Sequence, residues 1–129
     1  LCEDKLIQPT FITQQPKGST PLCKVKRNDP NVLERFEPFV NGWEMGNAYS
    51  ELNDPIIQEK LFLEQEEKGR GGAEEYCPMD KDYVNALQFG MPPAGGLGLG
   101  IDRMVMLMTD SATIRDVILF PTMKPKEEE

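Results

Sequence analysis

Histidine is missing altogether from this 129-residue sequence, and cysteine occurs only three times. Without an imidazole, neither a Ser-His-Asp nor a Cys-His centre can be assembled from these residues. Cys2, Cys23 and Cys77 are odd in number and nowhere in CxxC spacing, which argues against both a disulfide framework and a Cys/His zinc site. A reducing, cytoplasmic compartment is the expectation that goes with this usage. Long apolar runs are also missing: nothing approaches the roughly 18 residues of a membrane span, so no membrane partner is expected. Residues 1–11 carry neither the basic n-region nor the apolar h-region of a signal peptide. Basic residues are scarce, 14 Lys+Arg against 22 Asp+Glu, and a net charge of −8 makes the chain by itself a poor partner for nucleic acid. Position 1 is leucine rather than methionine, and the expectation is a piece of a longer product.

What is present suffices for one domain: 39% of the residues are hydrophobic and 28% charged, ordinary for a globular chain. Residues 6–13 read as a short strand around Pro9, and the Pro-containing stretch 14–31 as an exposed loop. Residues 34–40 and 42–52 read as two strands joined by an Asn41-Gly42 turn, since both residues tolerate positive φ. Asp54 is a candidate N-cap with Pro55 at the first helical position; the helix is expected to stop before Gly69, with Ile57, Leu61 and Glu64 along one side. A glycine-rich connection follows over 69–80, then a short helix closed by Gly90. The spacing of Met104, Val105, Leu107 and Met108 predicts a buried helix over 101–110, and 113–121 ends in a β-rich apolar run. The fold expected is α+β, a mostly antiparallel sheet flanked by helices, with residues 126–129 as an acidic tail.

The stretch GGLGLGIDR, 95–103, fits neither G-x-G-x-x-G nor G-x-x-x-x-G-K-[ST]. As a strand it is two-sided: Gly96, Gly98 and Gly100 share one face, Leu97, Leu99 and Ile101 the other. The leucine face is expected in the core. Bare backbone on the glycine face either admits a ligand closely or lets a helix pack tightly, and parity alone leaves both open. Arg103 offers a rigid donor fork for phosphate oxygens and a flat face for a base; a surface ion pair is the plainer alternative. In the hairpin, Glu37 and Glu44 are the strand carboxylates nearest the turn, a pair suited to Mg²⁺ with phosphate. Met45, Asn47, Tyr49 and Glu51 recur at period two and are expected on one strand face. Glu51 offers a counter-charge for a cation and Asn47 an amide for a carboxylate, although a merely solvent-facing strand would read the same.

RFEPFVNGWEMGNAYSELNDP followed by MPPAGGLGLGIDRMVMLMTDSATIRDVILFPTMKP resembles the carboxyl-terminal part of the catalytic domain of class II lysyl-tRNA synthetases, and GLGLGIDR their third signature motif. The resemblance covers residues 6–125 and, for the domain as a whole, implies 1–125. It implies that lysine and ATP are joined as lysyl-adenylate, with lysine then passed to tRNA by the full-length protein, a homodimer. On matching positions, Glu37 and Glu44 would hold Mg²⁺. Asn47, Tyr49, Glu51 and Gly98 would bind lysine, while Gly100 and Arg103 would meet ATP, the arginine also as the catalytic cation. An acid at Glu51 selects for lysine's cation against acidic substrates. The sequence departs from the family at Pro38, Trp43, Gln88 and Ala94-Gly95; Pro38 would interrupt the metal-binding strand. The anticodon-binding barrel and first two motifs are absent, so the isolated chain is expected to be inactive. A paralogue modifying an elongation factor, or a catalytically silent partner-binding module, would share these blocks.

Overall fold

The computed structural model describes residues 3–72 and 76–122, so Cys2 and the 126–129 tail lie outside the described residues. Its centre is an antiparallel sheet built from β1 (Thr10–Thr13), β4 (Arg35–Val40), β5 (Trp43–Glu44), β6 (Gly46–Ser50) and β7 (Gly95–Leu99). The order is β1-β4-β6-β7, with β5 also paired to β4. The helices α1 (Pro55–Arg70), α2 (Lys81–Gln88) and α3 (Ile101–Thr109) flank it, and the α+β expectation holds. Among the described residues no helix is long and apolar enough to cross a membrane.

Asn41 (φ +55°) and Gly42 (φ +76°) make the tight turn as their identities require. The first strand is shorter than expected, beginning after Pro9. The stretch expected to be loop, 14–31, contains β2 (Val25–Lys26) and the first residues of β3 (Asp29–Leu33), which together form a two-stranded antiparallel ribbon. It closes because Leu33 is buried, and the Asp29 carboxylate orders the entry by accepting from Asn31 N at 3.0 Å.

Pro38 does not interrupt β4; instead the facing strand yields. Phe39 pairs with Glu44 on one side and Phe36 with Ala48 on the other, so residues 45–47 oppose only residues 37–38. This one-residue bulge is anchored by Met45 N donating to Pro38 O at 2.8 Å. The expected single strand over 42–52 is therefore two segments.

Asp54 caps α1, accepting from Ile56 N (2.9 Å) and Ile57 N (3.1 Å). The helix runs on through Gly69 to Arg70; its buried residues are Gln58 and Phe62, while of the side marked by Ile57, Leu61 and Glu64 only Leu61 is partly covered. Gln58 is buried with its amide N–H donating to Pro21 O at 3.1 Å, while its Oε1 finds no partner among the described residues. Asp80 caps α2 through Tyr83 N, and Gly90 (φ +104°) follows its end.

Two expectations fail on the other side of the sheet. Leu97 and Leu99 are 64% and 50% exposed rather than in the core, and α3 buries Met106 while Met104, Val105 and Met108 stay exposed. The alternation holds within β7 only: the strand ends at Leu99, Gly100 is the N-cap of α3 and Ile101 its first residue rather than the last of the leucine face. The helical spacing is as read, but no described element covers these side chains. Residues 114–116 form a 3-10 turn, and in the β-rich apolar run that follows Leu119 and Phe120 are exposed and in no strand.

Candidate functional site

Cross-strand partners in an antiparallel ladder share a face. Asn47 opposes Gly98 and Tyr49 opposes Gly96, while Ala48 opposes Leu97 and Gly46 opposes Leu99. Arg35 opposes Tyr49, which adds Arg35, Glu37 and Phe39 of β4 to the Asn47–Tyr49 face. Through its pairing with Phe39, Glu44 joins as well. Regular alternation would have excluded it, since 44 and 47 differ in parity. The bulge supplies the missing step, and Met45, expected on this face, is instead the buried bulge residue. The face thus carries three acids, one amide, one phenol and one arginine over bare glycine backbone.

The three glycines meet different neighbours. A Cβ on Gly96 would collide with Oε1 of Glu51, whose carboxylate lies over it. At Gly98 the nearest atom is Asn47 O at 4.0 Å, so the backbone there is open. Gly100 N donates to Met45 O at 2.9 Å, and its Cα faces the Arg103 side chain. A ligand can approach closely at Gly98, whereas Gly96 is covered by the protein's own acid.

Arg103 sits in the first turn of α3, and its Nη1 donates to the backbone carbonyl of Glu44. The helix start and the bulged strand are thereby tied together. A cleft of about 330 Å³ is lined by Glu44, Asn47, Gly98, Gly100, Asp102 and Arg103 among others. A second, of about 490 Å³, continues past Glu44 and Arg103 toward Trp43, Gly42 and Glu3. Glu44 and Arg103 line both clefts.

Glu37 is largely buried and ion-paired with Arg35, and it lines neither of these clefts. Glu51 follows β6, held by its N–H to Ala94 O at 3.0 Å and by a bridge to Cys23. Burial, then the Glu51 charge, pushes the Tyr49 phenol above its ordinary range. Tyr83 of α2 responds in the same way, to burial and then to Glu51. Its ring packs edge-on against Phe62 with centroids 6.1 Å apart. Arg35 and Tyr83 were not foreseen as site residues. The Arg-x-Glu spacing within β4 was a usable signal for Arg35; Tyr83 lies 32 positions after Glu51 and only the fold relates them. Among the described residues no cluster of three or more His, Cys, Asp or Glu is arranged for a metal ion.

Residues 2–124 match the family described as tRNA synthetases class II (D, K and N). The chain is 62% identical over 125 residues to a lysine–tRNA ligase of Pelotomaculum thermopropionicum, covering 97% of this chain and 25% of that protein. It is 58% identical to the lysine–tRNA ligases of Clostridium novyi, over 95% of this chain and 24% of the relative, and of Saccharolobus solfataricus, over 94% and 24%. The chain therefore spans about a quarter of the length of these relatives.

Proposed function

Because the chain belongs to the class II tRNA synthetases of the D, K and N group, we propose that it supplies the lysine pocket and part of the ATP site of a longer lysine–tRNA ligase. That enzyme joins lysine to ATP and then passes lysine to tRNA. The observation that carries the lysine assignment is the Glu51 carboxylate lying over Gly96, on the face that presents Asn47, Tyr49 and the open backbone of Gly98. An acid set there, beside two tyrosines it perturbs, is complementary to an ammonium group and repels a carboxylate side chain.

The roles follow from position. Glu51 pairs with the ε-ammonium, Tyr49 lines the aliphatic stem, and Asn47 donates its amide to the lysine carboxylate beside Gly98. That carboxylate attacks the α-phosphorus of ATP, and pyrophosphate leaves. Arg103 reaches the polyphosphate across the cleft it lines with Glu44 and Gly100, stabilising charge with its planar fork. Catalysis here is positioning plus electrostatics, with no covalent enzyme intermediate.

Glu37 and Glu44 share one face and offer hard oxygen donors, which suit Mg²⁺; Arg35 already neutralises Glu37, so Glu44, opening into the clefts, is the freer donor. When bound, that ion would offset negative charge on the phosphates. The same reading makes residues 1–125 the carboxyl-terminal portion of the catalytic domain of a cytoplasmic homodimer. The rest of the ATP site then belongs to the remaining length of the relatives' kind of chain.

The test is ATP–pyrophosphate exchange with the full-length protein. Exchange should require lysine, and Glu51→Gln should raise the KM for lysine while leaving that for ATP nearly unchanged. The 129-residue chain alone should show none. Absence of any exchange or lysine binding in the full-length protein would favour a silent binding module. Adenylation of lysine without charging of tRNA would favour a paralogue that modifies another acceptor.

A further inference from the structure

We infer that Gly96 is the positioning residue for Glu51: its missing side chain is the seat of the carboxylate that selects a cationic substrate. The inference rests on Glu51 as the ammonium partner and adds what holds that acid in place. A Cβ at Gly96 would overlap Oε1 and come within 3.4 Å of Cδ of Glu51. Nothing comparable holds at its neighbours on the strand. Gly95 would meet only Tyr49 O at 3.8 Å, and Gly98 only Asn47 O at 4.0 Å.

The Glu51 backbone cannot retreat to make room. Its N–H is bonded to Ala94 O, residue 51 bridges Cys23, and Leu52 N donates to Leu22 O at 3.0 Å. The side chain can yield, because the colliding atom is the free end of a flexible carboxylate. A methyl group at position 96 therefore leaves the ladder intact and turns the carboxylate out of its seat. Glycine is needed here for where it lets the acid lie, and the strand itself does not depend on it. The consequence falls on one substrate only, since Gly96 lines neither cleft that Arg103 lines.

The experiment compares the full-length protein with Gly96→Ala, Glu51→Asp, the double variant and Glu51→Gln in lysine-dependent exchange, with thermal melting of each. Gly96→Ala should melt near the unsubstituted protein and raise the lysine KM about tenfold to a hundredfold, the weight of a charged hydrogen bond. Its KM for ATP should stay within about twofold. Aspartate is one methylene shorter and leaves room for the methyl, so adding Gly96→Ala to Glu51→Asp should change the lysine KM by less than about twofold. An unchanged lysine KM in Gly96→Ala, with a raised one in Glu51→Gln, overturns the role of Gly96 and leaves the lysine pocket standing. An unchanged lysine KM in Glu51→Gln overturns the pocket and this inference together. A loss of stability from Gly96→Ala that is equal with and without the Glu51→Asp substitution reduces Gly96 to a packing glycine and refutes the proposal.

Discussion

Gly46→Ala should be among the most damaging small substitutions in the sheet, and the reason is local. A Cβ at Gly46 points at the Gly98 carbonyl oxygen, at a separation no real side chain tolerates. Leu99 Cδ2 at 3.1 Å and Gly98 C at 3.3 Å close off the other directions. The obstructing atom is backbone, so it cannot swing aside as the Glu51 carboxylate can. Relief requires β6 and β7 to separate by about 1 Å, which strains a ladder of this kind at several bonds at once. The ladder has five registered pairs, Gly46–Leu99 to Ser50–Gly95. Overpacking of this sort together with weakened backbone bonds should cost about 2–4 kcal/mol. Gly98→Ala is the internal control. Its Cβ has open space, so its stability should change by no more than about 1 kcal/mol, in either direction. Urea denaturation with matched m-values gives both numbers. A loss below about 0.5 kcal/mol for Gly46→Ala, or equal losses for the two alanines, would show that the β6–β7 contact is not as tight as described.

Asp54→Ala removes the acceptor for two amides of α1 and should cost about 1 kcal/mol by chemical denaturation. Arg35→Met strands the Glu37 carboxylate, whose side chain and that of its partner are only 14% and 16% exposed. A loss of about 1–3 kcal/mol is expected, larger than for the neutral pair made by adding Glu37→Gln. Burial pushes the Cys23 thiol up from 9.0 to about 11. Because the folded-state value lies above the unfolded one, this contribution to stability is complete below pH 9 and lost as pH rises through 11. Cys23→Ala should flatten stability-against-pH over that window, in part only, since Tyr49 and Tyr83 titrate in the same sense. The isolated chain should self-associate through Phe11, Phe36, Leu97 and Leu99, with Leu97→Lys shifting size-exclusion profiles toward monomer.

Local chemistry was legible where a residue's own geometry decides the outcome. Asn41-Gly42, the Asp54 cap with Pro55, and Gly90 after α2 all act through φ or through bonds to adjacent amides, and they stand where the sequence puts them. Face alternation in β7 was legible for the same reason. What covers a face was not: Leu97 and Leu99 alternate as core residues do, yet they lie open, because alternation specifies direction and says nothing of a partner layer. The helix over 101–110 failed as a buried element on the same ground. Gln58 was invisible from sequence because its burial depends on a carbonyl 37 residues away. The β2–β3 ribbon hid behind Asp29 and Pro30, residues that read as turn formers and here begin a strand.

The bulge at Met45 decides whether the face is a site at all. In an unbroken ladder Met45 would stand beside Asn47, Tyr49 and Glu51, and Glu44 would point the other way. One extra residue reverses this, burying the methionine and bringing Glu44 round to the amide and the acid. Pro38 is the partner that makes the irregularity tolerable. It has no N–H to offer the facing strand, while its carbonyl takes the bulged Met45 N–H. The proline expected to interrupt β4 is thus the residue opposite which the phase shift occurs. The Met45 carbonyl then accepts Gly100 N, and Glu44 O accepts Arg103, so both ends of the irregular step are used to dock the start of α3. Deleting Met45 would restore regular pairing, send Glu44 to the leucine face and free Arg103 from its anchor, leaving the glycine face with Asn47, Tyr49 and Glu51 and without Glu44.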